Sequence, residues 1–322
     1  MLYPLAFKPI FKERIWGGRN LEQIFGKQLP ANVPIGESWE ICDRLGDVNV
    51  IAHGPLAGRD LRWLMEIHRE DLLGMAKSLN GRFPLLVKIL DAQQKLSLQV
   101  HPPASLAAQL GGEPKTEMWF IVQAEPDAEL FVGLKRGVTR AEFERRLREG
   151  SVQDCFHRVA VRRGDAMFLP SGRVHAIGGG NVIFEIQQNS DTTYRVFDWN
   201  RTDANGQSRE LHIAQSLASI DFDDFEPLAL RAESSDPGSA ERTLVRDPLF
   251  QVSALRLRVG STVQRTEGRP VVLGLVSGNV DVKGVDTTLP LRSGQFCLVP
   301  ACLEKFTLEC ASPAELLRAV PG

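Results

Sequence analysis

The chain has 322 residues, enough for about two domains with cores of their own. Its 43% hydrophobic and 24% charged residues are those of an ordinary globular protein. A net charge of −2 and a pI near 6.3 argue against a nucleic-acid or anionic-membrane binder, which usually shows a basic stripe, and leave room for local basic groups inside a pocket. No run approaches the roughly 18 uninterrupted apolar residues of a membrane span. The N-terminal MLYPLAFKPIFKERIWGG carries charges inside its apolar run and lacks a small-residue cleavage site, so it does not read as a signal peptide. Cys42, Cys155, Cys297, Cys302 and Cys310 are scattered and form no C-x-x-C pair. The expectation is a cytoplasmic protein with buried, reduced thiols.

Taken in chain order, three segments have helical period. They are Arg62–Leu73, Thr139–Cys155 and Glu210–Ile220. In the second, Phe143, Leu147 and Val152 share a face, Thr139 is the predicted N-cap, and Glu142 is its capping-box partner. The remainder reads as short strands: Phe83–Asp91, Lys95–His101, Glu117–Ala124, Glu129–Leu134, Ala166–Leu169, Arg173–Ile177 and Asn181–Gln187. Gly, Pro and Asp clusters punctuate them (PPAS, GGEPK, RRGD, LPSG, GGGN). Regular short strands with such turns predict a mainly β protein, a sandwich, jelly roll or barrel.

Composition changes after Ile220. Residues 232–242 (AESSDPGSAER) contain no large apolar residue and read as a linker between a domain at 1–231 and a smaller one at 243–322. The smaller one again reads as strands, at Phe250–Val259, Val271–Val276, Asn279–Lys283, Gln295–Val299 and Phe306–Leu308. Its segment LPLRSGQFCLVPA (289–301) echoes VAVRRGDAMFLPSG (159–172). Each reads as strand, turn, strand, then proline, which predicts two related β-sandwich units.

The chemistry concentrates in LSLQVHP (96–102). Residues two apart in a strand face one side, so Gln99 and His101 project together while Leu96, Leu98 and Val100 point the other way. KTEMWF (115–120) adds the carboxylate of Glu117, and SGRVHAIGGG (171–180) adds His175 at a strand end. Two imidazoles, a carboxylate and an amide oxygen form a mixed N/O donor set suited to Zn²⁺, Mn²⁺, Fe²⁺ or Co²⁺. His53, His68, His157 and His212 have no such company and read as ordinary core or surface residues. Lys115, two before Glu117, shares its face and is a candidate for proton transfer. Lys88 is an ammonium inside the apolar run FPLLVKILDA, costly to bury without an anion. That anion is either a substrate phosphate or an internal carboxylate.

LSLQVHP, KTEMWF, LPSGRVHAIGGG and EIQQNSDTTYRVFDW, together with RIWGG (14–18) and GESWE (36–40), resemble the type I mannose-6-phosphate isomerases. The match is to the short bacterial form, without a long helical insertion between the second and third ligands. It runs in order through about residue 215. The resemblance implies a cupin, a jelly-roll β-sandwich with a few flanking helices, and a second, smaller cupin-like β domain. It implies one divalent metal, zinc being the family's usual ion, held by Gln99, His101, Glu117 and His175. No histidine follows His212, so the C-terminal domain is expected to lack a metal centre.

The implied reaction interconverts mannose 6-phosphate and fructose 6-phosphate through an enediol. A base must move a proton between adjacent carbons, and Lys115, Glu185, His101 and a hydroxide on the metal are the candidates, with Lys115 or Glu185 favoured. The resemblance places an active-site arginine at Arg195, whose fixed cation would steady the enediolate or the phosphate, and Trp16 at the aromatic position that lines the family's pocket. Trp39 and Trp119 read as core. The expected partner is a sugar phosphate, with no nucleic acid or membrane, and the chain is expected to be a monomer or small homo-oligomer. A catalytically silent sugar- or metal-binding cupin is the rival from another class. A redox cupin such as a dioxygenase fits less well, because many of those use three or four histidines.

Overall fold

In a computed structural model the described residues are 2–202, 206–232 and 240–322. Most of the expected linker therefore lies outside them. The described chain forms two compact units. One comprises residues 15–18 and 90–232, the other the remaining N-terminal residues up to 89 with the C-terminal segment.

The unit holding residues 90–232 is a sandwich of antiparallel strands. In one layer Glu117–Ala124 lies between Asn181–Gln188 and Ala166–Leu169. The facing sheet has the order Tyr194–Phe197, Leu98–Val100, His175–Ile177, Glu129–Leu134, Phe156–Ala160. Strand alternation divides its side chains between two cores. Leu130, Val132 and Ile177 pack inward with Trp16, Trp119, Ile121, Met167 and Ile183. Leu98, Val100, Phe131, Val174, Ala176 and Val196 pack outward, against Phe143 and, less deeply, Leu217. The latter two come from the helices Arg140–Glu149 and Ile213–Ser219, which cover the outer face of that sheet.

The longer helix follows its sequence signals with one change. The Thr139 hydroxyl accepts from the Glu142 N–H at 3.2 Å, but the Glu142 carboxylate bonds Arg146 at 2.9 Å rather than returning to the cap. Gly150 closes the helix in the left-handed conformation at φ 73°. The expected helix over Arg62–Leu73 is two helices, Leu61–Ile67 and Arg69–Leu73. His68 breaks the run at φ −127°, its ring edge-on to Trp63. Glu210–Ile220 is helical only over Ile213–Ser219, because the His212 ring and main chain are engaged with the backbone of Arg195.

In the other unit, Glu241–Arg246, Phe250–Leu257, Ala314–Pro321, Val271–Ser277 and Phe296–Val299 form one antiparallel sheet. Gly260–Arg265, Lys305–Cys310, Asn279–Lys283 and Thr288–Arg292 form a second. Leu273, Leu275, Val280, Val282, Phe306, Leu308 and Leu316 share the core cluster. Sequence reading placed the N-terminal ninety residues with the metal site, yet residues up to 89 mostly group with this C-terminal sandwich. The cause is main-chain pairing: Leu5 and Leu298 exchange both hydrogen bonds, and Met75 N–H donates to Gly268. Such pairing between distant segments leaves no local sequence signal.

The echoed segments make the same crossing in each unit. Phe156–Ala160 and Ala166–Leu169 lie in different sheets, as do Thr288–Arg292 and Phe296–Val299. The turns place Gly164 and Gly294 at φ +86° and +76°, a region that favours glycine. Four of the five cysteines are buried free thiols, while Cys302 is exposed. No helix among the described residues is long and apolar enough to cross a membrane.

Candidate metal centre

The inward faces of the sandwich gather the predicted site. Gln99 stands between the outward Leu98 and Val100, so its side chain takes the interior side, and His101 keeps that parity as the strand ends. His175 shares parity with inward Ile177, and its Cα pairs with Gln99. On the facing layer Glu117 shares parity with inward Trp119 and Ile121. Glu185 does so with inward Ile183 and pairs with Trp119.

These faces bring His101, Glu117 and His175 together, with their ligand atoms all within 4.8 Å of one another. His101 Nε2 lies 3.4 Å from Glu117 Oε2, and His175 Nε2 lies 3.3 Å from Glu117 Oε1. All three are at most 1% exposed. Each imidazole is oriented from behind. The Nδ1 of His101 is 2.8 Å from the Thr192 carbonyl, and the Nδ1 of His175 is 2.9 Å from the Arg173 carbonyl. A carbonyl only accepts, so each Nδ1 carries the proton and each Nε2 presents its lone pair to the cluster. Burial, with Lys115 nearby, brings the His101 pKa down to about 4, and burial lowers that of His175. Both rings are neutral donors at pH 7.

Burial acts to raise the Glu117 pKa, but Lys115 and the two histidines outweigh it and hold the carboxyl ionised, well below its ordinary value. The Nε2 atoms of His101 and His175 and Oε1 of Glu117 are buried without a hydrogen-bond partner. Buried polar atoms carry a desolvation cost unless something satisfies them. Two imidazole lone pairs and a carboxylate converging at this spacing fit a divalent cation, with Gln99 beside His175 as a further oxygen donor.

The chain's similarity to known proteins agrees with this centre. The model of the catalytic domain of type I phosphomannose isomerase matches residues 5–127. Over 308 residues the chain is 36% identical to the mannose-6-phosphate isomerase ManA of Bacillus subtilis (strain 168), covering 95% of this chain and 96% of that one. It belongs to the type I phosphomannose isomerases. The mannose-6-phosphate isomerase of Streptococcus mutans is 34% identical over 312 residues, 96% of each chain. The crystal structure of the Bacillus subtilis mannose 6-phosphate isomerase superposes with a TM-score of 0.88 at 30% identity, covering 99% of both chains. The cupin-type β fold read from the motifs is thus the fold of a solved phosphomannose isomerase.

Around the centre, Lys115 is 4% exposed and its Nζ lies 2.8 Å from Glu117 Oε2. Glu185 accepts from the Trp119 indole N–H at 2.8 Å, and the Trp119 ring stands edge-on to His175 at 5.3 Å. Glu185 therefore meets the cluster through Trp119. Arg195 pairs with Gln99 in register on the other side, and its guanidinium donates to the Glu210 carbonyl at 2.6 Å. Burial, then the charges of Arg209 and Arg201, lower the Arg195 pKa. Trp16 is 4% exposed in the inner core with Trp119 and Ile183. Sequence reading treated Trp119 as core alone and found no role for Thr192 or Arg173. The last two act through main-chain carbonyls, which no residue type announces.

Lys88 belongs to the other unit, where its ammonium faces Glu37 Oε2 at 3.9 Å and the Trp39 ring at 5.0 Å. Glu37 also takes the Arg14 guanidinium at 2.8 Å and the Trp39 N–H at 2.6 Å. Burial raises its pKa, but Lys88, Arg14 and these hydrogen bonds outweigh it and bring the carboxyl from 4.5 to about 2. The folded state therefore binds this proton more weakly than the unfolded chain does. The resulting stabilisation is complete above pH 4.5 and drains away as pH falls toward 2, on the order of 3 kcal/mol in all. Denaturant titrations of the chelator-treated protein check this. The stability gap between wild type and Glu37→Gln is expected to be widest at neutral pH and to narrow steadily below pH 4.5. A gap constant from pH 7 to 3 contradicts the assignment.

Proposed function

We propose that this chain is a metal-dependent mannose-6-phosphate isomerase, interconverting mannose 6-phosphate and fructose 6-phosphate by proton transfer through an enediol. The observation that carries the reading is the buried convergence of His101, Glu117 and His175, with Lys115 against the same carboxylate, in a chain of this family. The activity named for the relatives is the one these residues can perform.

Gln99, His101, Glu117 and His175 are the proposed ligands; the mixed N/O set admits zinc among other divalent ions, and zinc is proposed as the ion usual in the family. A divalent cation held there supplies Lewis acidity to a carbonyl oxygen, worth several kcal/mol of charge stabilisation. Lys115 is the proposed proton carrier. Paired as an ammonium with Glu117, it would act as the free amine once that carboxylate is engaged by a bound cation. Its Nζ lone pair would take the proton from the carbon beside the carbonyl and return it to the former carbonyl carbon, while the hydroxyl proton passes between the two adjacent oxygens. Arg195 offers a fixed cation to the enediolate oxygen or the phosphate. Glu185 supports the reaction by holding Trp119 against the His175 ring. Lys88 and Trp16 are proposed substrate-binding residues on the family resemblance, Lys88 towards the phosphate. The substrate is proposed as the only partner, for a cytoplasmic enzyme that is a monomer or small homo-oligomer.

The test is conversion of mannose 6-phosphate to fructose 6-phosphate, read through a coupled assay. Turnover should disappear on chelation and return with added zinc. Metal-loaded protein without isomerase activity sinks the reading.

A further inference from the structure

We infer that the hydroxyl of Thr192 is a positioning device that ties the His101 ring to the segment carrying Lys115 and Glu117. The inference rests on the reading of His101 and Glu117 as metal ligands, and goes beyond it to a residue that touches neither metal nor substrate.

Thr192 lies between the strands Asn181–Gln188 and Tyr194–Phe197. Its carbonyl orients His101, as described. Its side chain makes a separate contact, in which Oγ1 accepts the N–H of Glu113 at 2.9 Å. Ser190 braces the same point, its hydroxyl donating to the Glu113 carbonyl at 3.2 Å and accepting the Thr192 N–H at 3.3 Å. Three residues along, the main chain of Thr116 is held at both its groups. Its N–H donates to the Gln188 side chain at 2.9 Å, and its carbonyl accepts the Gln188 N–H at 3.0 Å. Residues 113–116, which lead directly into Glu117, are thus fastened at one end to the loop that orients His101 and at the other to Gln188, the last residue of the strand that leads into that loop. Lys115 sits between the two fastenings.

The fit around Thr192 is close. A Cβ placed on Gly112 would lie 2.6 Å from Thr192 Cγ2 and 2.7 Å from the Tyr194 hydroxyl, so only glycine lets the two segments approach this far. Removing the hydroxyl leaves the Glu113 N–H without its acceptor and takes away a side-chain restraint on the residue whose carbonyl aims His101. The Thr192 carbonyl is the partner one step behind the ligand, and disturbing partners of that kind typically changes metal affinity by about 10- to 100-fold.

The measurement is metal affinity by competition with a chromophoric chelator, on the full chain. Thr192→Val keeps the branched shape and removes the acceptor; Thr192→Ala serves if valine is not accommodated; Thr192→Ser keeps the hydroxyl. The expected result is zinc binding weakened about tenfold or more in the valine or alanine variant. Serine should stay within about twofold of wild type, and in the valine or alanine variant kcat should fall more than KM rises. Affinity in the valine or alanine variant within twofold of wild type overturns the inference, whatever happens to thermal stability. So does equal weakening in the serine variant. Wild-type protein that binds zinc but lacks isomerase turnover would instead count against the proposed function and leave this comparison readable.

Discussion

Replacing His175 with alanine is expected to strip the protein of its metal and to lower kcat by roughly three orders of magnitude or more. The magnitude follows from what is lost: Lewis-acid stabilisation of about 4 kcal/mol corresponds to nearly a thousandfold in rate. His175 is suited to hold metal and poorly suited to be dispensable. It is 1% exposed, its Nε2 faces Glu117 at 3.3 Å, and the Arg173 carbonyl locks its tautomer. Its ring also packs on Trp119 at 5.3 Å and His101 at 4.9 Å, so some stability goes with it. Metal content after desalting, kcat, and the near-ultraviolet circular dichroism spectrum separate these effects. The spectrum should stay native-like while metal and turnover vanish together. His157→Ala is the control, since that partly exposed histidine lies on the edge strand Phe156–Ala160, outside the cluster, and should leave both unchanged. A His175→Ala protein with stoichiometric metal and more than a tenth of wild-type turnover would remove His175 from the ligand set.

Gln99 and His101 were legible as a pair because strand parity is a local rule. In LSLQVHP the alternation of Leu98 and Val100 against Gln99 and His101 is visible within a few residues, and the structure keeps it. Lys115 and Glu117, also two apart, were legible for the same reason. Their convergence was not. It depends on Gln99 pairing with His175, 76 positions away, and on Glu117 standing on the facing layer. The motif resemblance supplied that long-range information, which periodicity cannot. Strands with strong β composition, such as Glu117–Ala124, fell at their observed bounds. Ile10–Gly18, with Lys12, Glu13 and Arg14 in its midst, carries no clean alternation and escaped notice. The helix beginning at Leu61 was found but not its break, because His68 is a tolerable helix residue whose ring is turned by Trp63.

Lys115→Met should leave the metal in place and still cost about two to four orders of magnitude in kcat, the range ascribed to a positioned general base. Methionine matches the unbranched stem of lysine, so packing in this 4% exposed position should survive. Glu117 loses an ion pair at 2.8 Å but still faces both imidazoles, which is why metal content should hold. The contrast with Glu185→Gln decides between the two favoured bases. A glutamine oxygen can still accept the Trp119 N–H, so that variant should lose about tenfold or less if Glu185 only steadies the ring beside His175. Incorporation of solvent deuterium into substrate offers a second readout, because it reports proton removal itself. Lys115→Met should abolish it, and Glu185→Gln should slow it only in proportion to kcat. A Lys115→Met enzyme with more than a tenth of wild-type turnover, or a Glu185→Gln enzyme that is the more damaged of the two, would move the proton transfer off Lys115.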